Sequence, residues 1–174
     1  MELAKRHILI TGLPGVGKTT LIIKLHESLR SFRPVGFYTE EIREKGVRKG
    51  FALIGFDGPS GVLSHMDIQS RFRVGKYGVD VAGFETYLDR IDFLDPKTRL
   101  IIIDEIGKME CFSEKFKHLV KDILNLDKRL IATIALKGSG IIEEIKKRPD
   151  VTLFKIDARN RDLVLSEILR SFRG

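Results

Sequence analysis

The chain has 174 residues with 43% apolar and 32% charged side chains, enough for one good core and too few for two ordinary domains. No apolar run reaches membrane length, and residues 1–6 run straight into an apolar strand, so neither a membrane span nor a cleavable signal is expected. A formal charge of +7 fits nucleic-acid binding, polyphosphate binding or the Lys-rich surface of a thermophile. One glutamine, two asparagines and no tryptophan favour the last.

A lone cysteine, Cys111, excludes an internal disulfide and points to a reducing, cytoplasmic setting. Four scattered histidines and that cysteine have no zinc-ligand spacing. No short segment interleaves positive charge with aromatics, so nucleic acid stays an open partner, and a monomer is expected.

In chain order, the apolar run 7–10 reads as a strand and meets Gly12-Leu13-Pro14-Gly15-Val16-Gly17-Lys18-Thr19-Thr20. This is the complete G-x-x-x-x-G-K-[ST] phosphate loop, between a strand and a helix. Gly12, Gly15 and Gly17 are read as positive-φ positions that let successive N–H groups converge on an anion. The helix N-terminus near Lys18 adds partial positive charge, Lys18 a full charge for the outer phosphates, and Thr19 a hydroxyl for Mg²⁺.

A helix follows to about residue 31, with Leu21, Ile22, Leu25 and Leu29 on one face. Residues 35–65 read as an antiparallel meander with turns at 44–46, 57–59 and 60–61. Residues 66–81 read as an ordered loop. The next helix carries Phe84, Tyr87, Leu88 and Ile91.

The run Leu100-Ile-Ile-Ile103 ending in Asp104-Glu105 describes a strand buried on both faces with its acids at the carboxyl edge, where open α/β sheets bind ligands. Ser113 is an N-cap for a helix with Phe116, Leu119, Val120, Ile123 and Leu124 inward. Strands at 130–135 and 151–156 flank a short helix closed by Pro149. Asn160 caps a last helix with Leu165, Ile168, Leu169 and Phe172 inward. Alternating strands and helices predict a three-layer α/β fold, a single P-loop domain over 1–174 with a mainly parallel sheet.

Asp104 is the expected Mg²⁺-holding acid opposite Thr19, and Glu105 the base for water attacking the γ-phosphorus. A base beside the metal ligand favours hydrolysis over transfer. A further cation near the γ-phosphoryl oxygens is expected. Lys108 leads by its short tether to Glu105; Arg43, Arg148 and Arg159 are the other candidates. Asn160 and Arg161 are placed to meet the nucleotide base.

These blocks, with Thr39-Glu-Glu-Ile-Arg43, Val74-Gly-Lys-Tyr-Gly-Val79, Asp104-Glu-Ile-Gly107-Lys-Met-Glu110 and Asn160-Arg-Asp162, are spaced as in one family. The chain resembles the small thermostable nucleoside-triphosphatases of thermophiles, whose vertebrate relatives are called cancer-related nucleoside triphosphatases. The resemblance implies Mg²⁺-dependent hydrolysis of ATP, GTP and other nucleoside triphosphates with weak base selectivity. It also implies a RecA-like core, in which another strand separates the loop strand from the Asp104 strand. The rival readings are a nucleoside or nucleotide kinase with its acceptor site in 35–80, and a slow nucleotide-dependent switch on nucleic acid.

Overall fold

The computed structural model describes residues 5–174, so the expectation for residues 1–4 lies outside it. One nine-stranded sheet runs through the molecule. Its parallel part comprises β1 (His7–Thr11), β2 (Val35–Glu44), β7 (Leu100–Ile106), β8 (Arg129–Ile134) and β9 (Val151–Lys155). Its antiparallel part continues from β2 through β3 (Val47–Gly55), β4 (Ser60–His65), β6 (Tyr77–Val79) and β5 (Arg73–Val74). The order across the sheet is β5-β6-β4-β3-β2-β7-β8-β1-β9. β8 therefore lies between the loop strand β1 and the Asp104 strand β7, the RecA-like order.

The central strands are apolar throughout because both faces are covered. Leu9, Ile101 and Ile103 join one core with Phe84 of α2 (Val81–Leu88), Phe116 of α3 (Glu114–Asn125) and Ile141 of α4 (Ile141–Lys146). Their neighbours Ile8, Ile10, Leu100 and Ile102 point the other way. They pack on Leu21, Ile22 and Leu25 of α1 (Lys18–Ser28) and on Ile168 of α5 (Arg161–Arg170). Strand alternation thus builds both outer layers from one run of sequence.

Four local expectations change. The stretch 66–81 is not only a loop: β5 and β6 form a hairpin that extends the meander to residue 79. Ser60-Gly61 opens β4, and the turn before it is closed by Gly55 N donating to Pro59 O (2.9 Å). Helix α1 stops at Ser28 and is followed by a 3₁₀ turn, Arg30–Phe32. Ile91 lies beyond the end of α2, on which the apolar spacing continues for less than one turn. The β2–β3 turn does fall on Lys45 and Gly46, both at positive φ (49° and 78°), the two-residue hairpin that matches strand twist. Ser113 caps α3 as expected, accepting from Phe116 N at 3.0 Å.

His7, fully buried on β1, is held as a neutral ring: Nε2 donates to Leu124 O and Nδ1 accepts from Leu130 N, each at 3.2 Å. Burial pushes its pKa down to about 4; the Asp150 carboxylate, 3.7 Å from Nε2, opposes this, while Arg6 adds to it. The unfolded chain, with a value near 6.5, then takes up a proton that the fold does not. Stability should be fully present above that value and fall as pH drops toward 4, by roughly 3 kcal/mol in all from this group. Denaturant melts of the wild type and His7→Phe check this: the difference in slope between pH 6.5 and 4 belongs to His7.

Candidate active site

The site lies at the carboxyl edge of β1, β7 and β8. Residues 12–17 turn from β1 into α1. Of the glycines read as positive-φ positions, Gly15 (76°) and Gly17 (100°) are so; Gly12 is not. Gly12 is small for another reason: a Cβ there would stand 2.7 Å from Ile156 O, where the loop rests on the chain leaving β9. Gly17 occupies the N-cap position of α1 and no side chain caps the helix, so its first amides face outward, available to an anion. Lys18 Nζ is poised over the loop by Gly12 O (2.8 Å) and Leu13 O (3.1 Å).

Asp104, 3% exposed at the tip of β7, is gripped by three threonines. Thr19 Oγ1 donates to its Oδ2 at 2.7 Å and Thr133 Oγ1 of β8 to its Oδ1 at 2.6 Å, while Thr39 N of β2 approaches Oδ2 at 3.4 Å. The Asp104–Glu105 peptide is cis. Among the described residues no three His, Cys, Asp or Glu side chains converge on one point, so no all-protein metal cage exists. The Thr19 hydroxyl beside the Asp104 carboxylate is instead a pair of hard oxygens that suits Mg²⁺, an ion that takes few protein ligands and the rest from phosphate and water.

Glu105 follows on the solvent side. Burial raises its pKa, the Asp104 charge raises it further, and Lys18 opposes both. Behind it sits Glu110, 5% exposed on the 3₁₀ turn Glu110–Phe112, its Oε2 accepting from Gly107 N at 3.2 Å. Burial, then the nearby Glu105 charge, push the Glu110 carboxyl well above the usual range. A methyl built on Gly107 would lie 2.5 Å from Glu105 Oε1 and 3.0 Å from Glu110 Oε2, so the two carboxyls close on one small space.

A cleft of about 700 Å³ opens over the loop. Gly12, Pro14, Gly15, Gly17, Lys18, Thr19, Thr20, Asp104 and Glu105 line it. Leu13 projects to solvent, 63% exposed, and Val16 packs against the α1–α5 core. Lys108 lines an adjoining cavity rather than this cleft. Gly107 serves through its amide, bonded to Glu110. Arg161 lies over the loop: a Cβ on Gly17 would be 3.0 Å from its Nη1. Asn160 is not a side-chain cap for α5. Its Oδ1 accepts from Asp157 N (2.8 Å) and its Nδ2 donates to Lys155 O (2.9 Å), bracing the β9–α5 loop.

Among the other cations considered, Arg148 is tied to Asp150, Asn125 and Leu124 O beside His7, at the opposite edge of the sheet. Arg43 is bound to Glu41 and Gly46 O, and Arg159 is exposed on its loop. The cation that the fold does bring to the cleft is Arg48 of β3. Its Nε donates to Tyr77 Oη (2.9 Å), its Nη1 to Glu41 Oε1 (3.3 Å), and its guanidinium lies over the Phe51 ring, 5.3 Å from the centroid. Arg43, then Arg48, hold the Glu41 carboxyl below its ordinary range. Glu41 divides its charge between Arg43 and Arg48, so the Arg48 charge beside the cleft is only partly neutralised. Nothing in the sequence near Arg48 marks it; Thr133, which sequence reading passes over, is the single hydroxyl inside the apolar run 130–135, and that is the one signal that points to it.

A family profile described as NTPase matches residues 7–169. The chain belongs to the NTPase family. It is 47% identical over 163 residues to nucleoside-triphosphatase THEP1 of Thermotoga sp. strain RQ2, covering 93% of this chain and 92% of that protein. The crystal structure of THEP1 from the hyperthermophile Aquifex aeolicus superposes with a TM-score of 0.83 at 38% identity, covering 97% of this chain and 99% of that one. The solution structure of a human cancer-related nucleoside triphosphatase gives 0.81 at 38% identity, over 96% and 97% of the two chains. These relatives bear the names of hydrolases. The fold of this NTPase-family member is theirs. Among the described residues no helix is long and apolar enough to cross a membrane.

Proposed function

We propose that this chain is a Mg²⁺-dependent nucleoside triphosphatase that cleaves the β–γ anhydride of ATP, GTP and other nucleoside triphosphates by attack of water. The observation that carries the reading is the placement of Glu105. A carboxylate lines the same cleft as the phosphate loop, next to the aspartate bonded to Thr19. Loop amides and Lys18 hold the phosphates. Thr19 and Asp104 would hold Mg²⁺, whose chemistry there is to neutralise charge on the phosphate oxygens. Glu105 takes the proton from the attacking water, and its raised affinity for protons suits that task. Arg48 supplies the additional positive charge that the transition state requires, and Lys108, in the cavity adjoining Glu105, is a second cation close to the base.

Weak base selectivity belongs to the same reading. Asn160, placed to meet a base, uses both amide atoms on its own loop, which leaves it no side-chain group for reading one. A phosphate-release assay with MgATP and MgGTP, without any acceptor and with chelator as control, tests it. Comparable release from both that chelator abolishes is expected. No release from either overturns the hydrolase reading, and release from one alone overturns the base tolerance.

A further inference from the structure

Glu105, Thr39 and Phe51 line two spaces at once. One is the cleft over the phosphate loop; the other is a cavity of about 200 Å³ walled by Leu63, Val74 and Met109, with Lys108 and Glu110 at its polar end. Hydrolysis needs one water beside the base, and one water needs only about 10–15 Å³ of such space. The cavity exceeds this more than tenfold, and most of its wall is hydrocarbon. Leu63 is 1% exposed and belongs to the core that Phe84 and Phe116 share, so that part of the wall is fixed. The hairpin β5–β6, which carries Val74, forms one side.

We propose that this cavity is an acceptor subsite for a small primary alcohol with an apolar body, and that the protein also transfers the γ-phosphoryl group to that hydroxyl. The proposal rests on the nucleotide-binding reading above and adds a second nucleophile to it. In the step, the alcohol oxygen forms a bond to the γ-phosphorus and its proton passes to the Glu105 carboxylate. The bond from the γ-phosphorus to the β–γ bridging oxygen breaks, and the nucleoside diphosphate leaves with the electron pair. The products are an alkyl phosphate and the diphosphate, with no oxidant or further reactant. The apolar wall sets the class of acceptor: each methylene that leaves water for it favours binding by about fourfold.

The test uses the full chain, ATP labelled in the γ-phosphate, and methanol, ethanol, 1-propanol or 1-butanol at equal molarity. Chromatography separates alkyl phosphate from inorganic phosphate. Transfer above the molar ratio of alcohol to water is expected, rising roughly fourfold per added methylene. Val74→Phe narrows the cavity from a half-buried position and should flatten that series while phosphate release without alcohol stays within about twofold. Should this variant lose its circular-dichroism signature, Val74→Leu takes its place. Alkyl phosphate at only the molar ratio, with no dependence on chain length, overturns the subsite while leaving the hydrolase intact. Transfer without release in water upholds the subsite and overturns the hydrolase reading. Neither product overturns both.

Discussion

Glu105→Gln is expected to lower the turnover number roughly 1,000-fold, the middle of the range that a positioned general base contributes. The amide keeps the shape of the side chain and cannot accept a proton. Folding should not suffer, because Glu105 is half-buried beside the Asp104 charge and a neutral group is favoured there. MgATP affinity should stay within a fewfold of the wild type, since the loop amides, Lys18 and the Thr19–Asp104 pair are untouched. Glu110 is no substitute: one of its oxygens is held by the Gly107 amide and it sits behind Glu105. Phosphate release and titration calorimetry on the same preparation decide the matter. Turnover within tenfold of the wild type would remove Glu105 from the role of base.

Lys18→Ala should act on binding as well as on turnover. Nζ already has two carbonyl partners in the loop, Gly12 O and Leu13 O, which fix it where the outer phosphates would lie without neutralising its charge. Losing a charge-assisted contact to phosphate weakens MgATP binding by about 100-fold or more, within the range for truncating one side of a hydrogen-bonded charge pair. The fold is expected to tolerate the change, because the side chain is only partly buried and its neighbours are backbone carbonyls that water can reach. Calorimetry should separate the two variants: Glu105→Gln binds and does not turn over, Lys18→Ala does neither. Unaltered affinity in Lys18→Ala would place the phosphates elsewhere.

The contrast between these two residues and Arg48 traces how far the sequence reaches. Residues 12–20 act through their own backbone, so spacing along the chain is nearly the same thing as geometry, and the loop is legible without a fold. Asp104-Glu105 is legible for a related reason. Four consecutive apolar residues must be buried on both faces, which sends the following acids to the sheet edge. The three layers follow from alternating elements, and the strand between β1 and β7 from the family resemblance. The partners of Asp104 are legible only in part, since Thr133 shares its strand with five buried or half-buried neighbours and only pairing through β8 puts it under the carboxylate.

Arg48, Glu41 and Phe51 reach the cleft only in three dimensions. They lie on antiparallel strands in a period-two pattern, and a shift of one residue in pairing exchanges the two faces. The register of β2 on β3 shifts between Ile42 and Arg43, so that Glu41 pairs with Phe51 and Arg43 with Arg48; a bulge that no local spacing announces puts Arg48, rather than Lys49, on the face that carries Phe51. Arg43, its partner on the same face, is drawn to Glu41 and to Gly46 O of the turn, while Arg48 enters the cleft. Asn160 differs for the opposite reason: its amide finds backbone partners three and five residues back, which a helix-start pattern does not reveal. The sequence by itself determined the phosphate loop, the acid pair and the layered fold, because each depends on neighbours in the chain or on burial of a continuous apolar run. Only the tertiary structure decided which distant side chains close the cleft and that a second cavity lies beyond Glu105, because those depend on strand register and on where the β5–β6 hairpin joins the edge of the sheet.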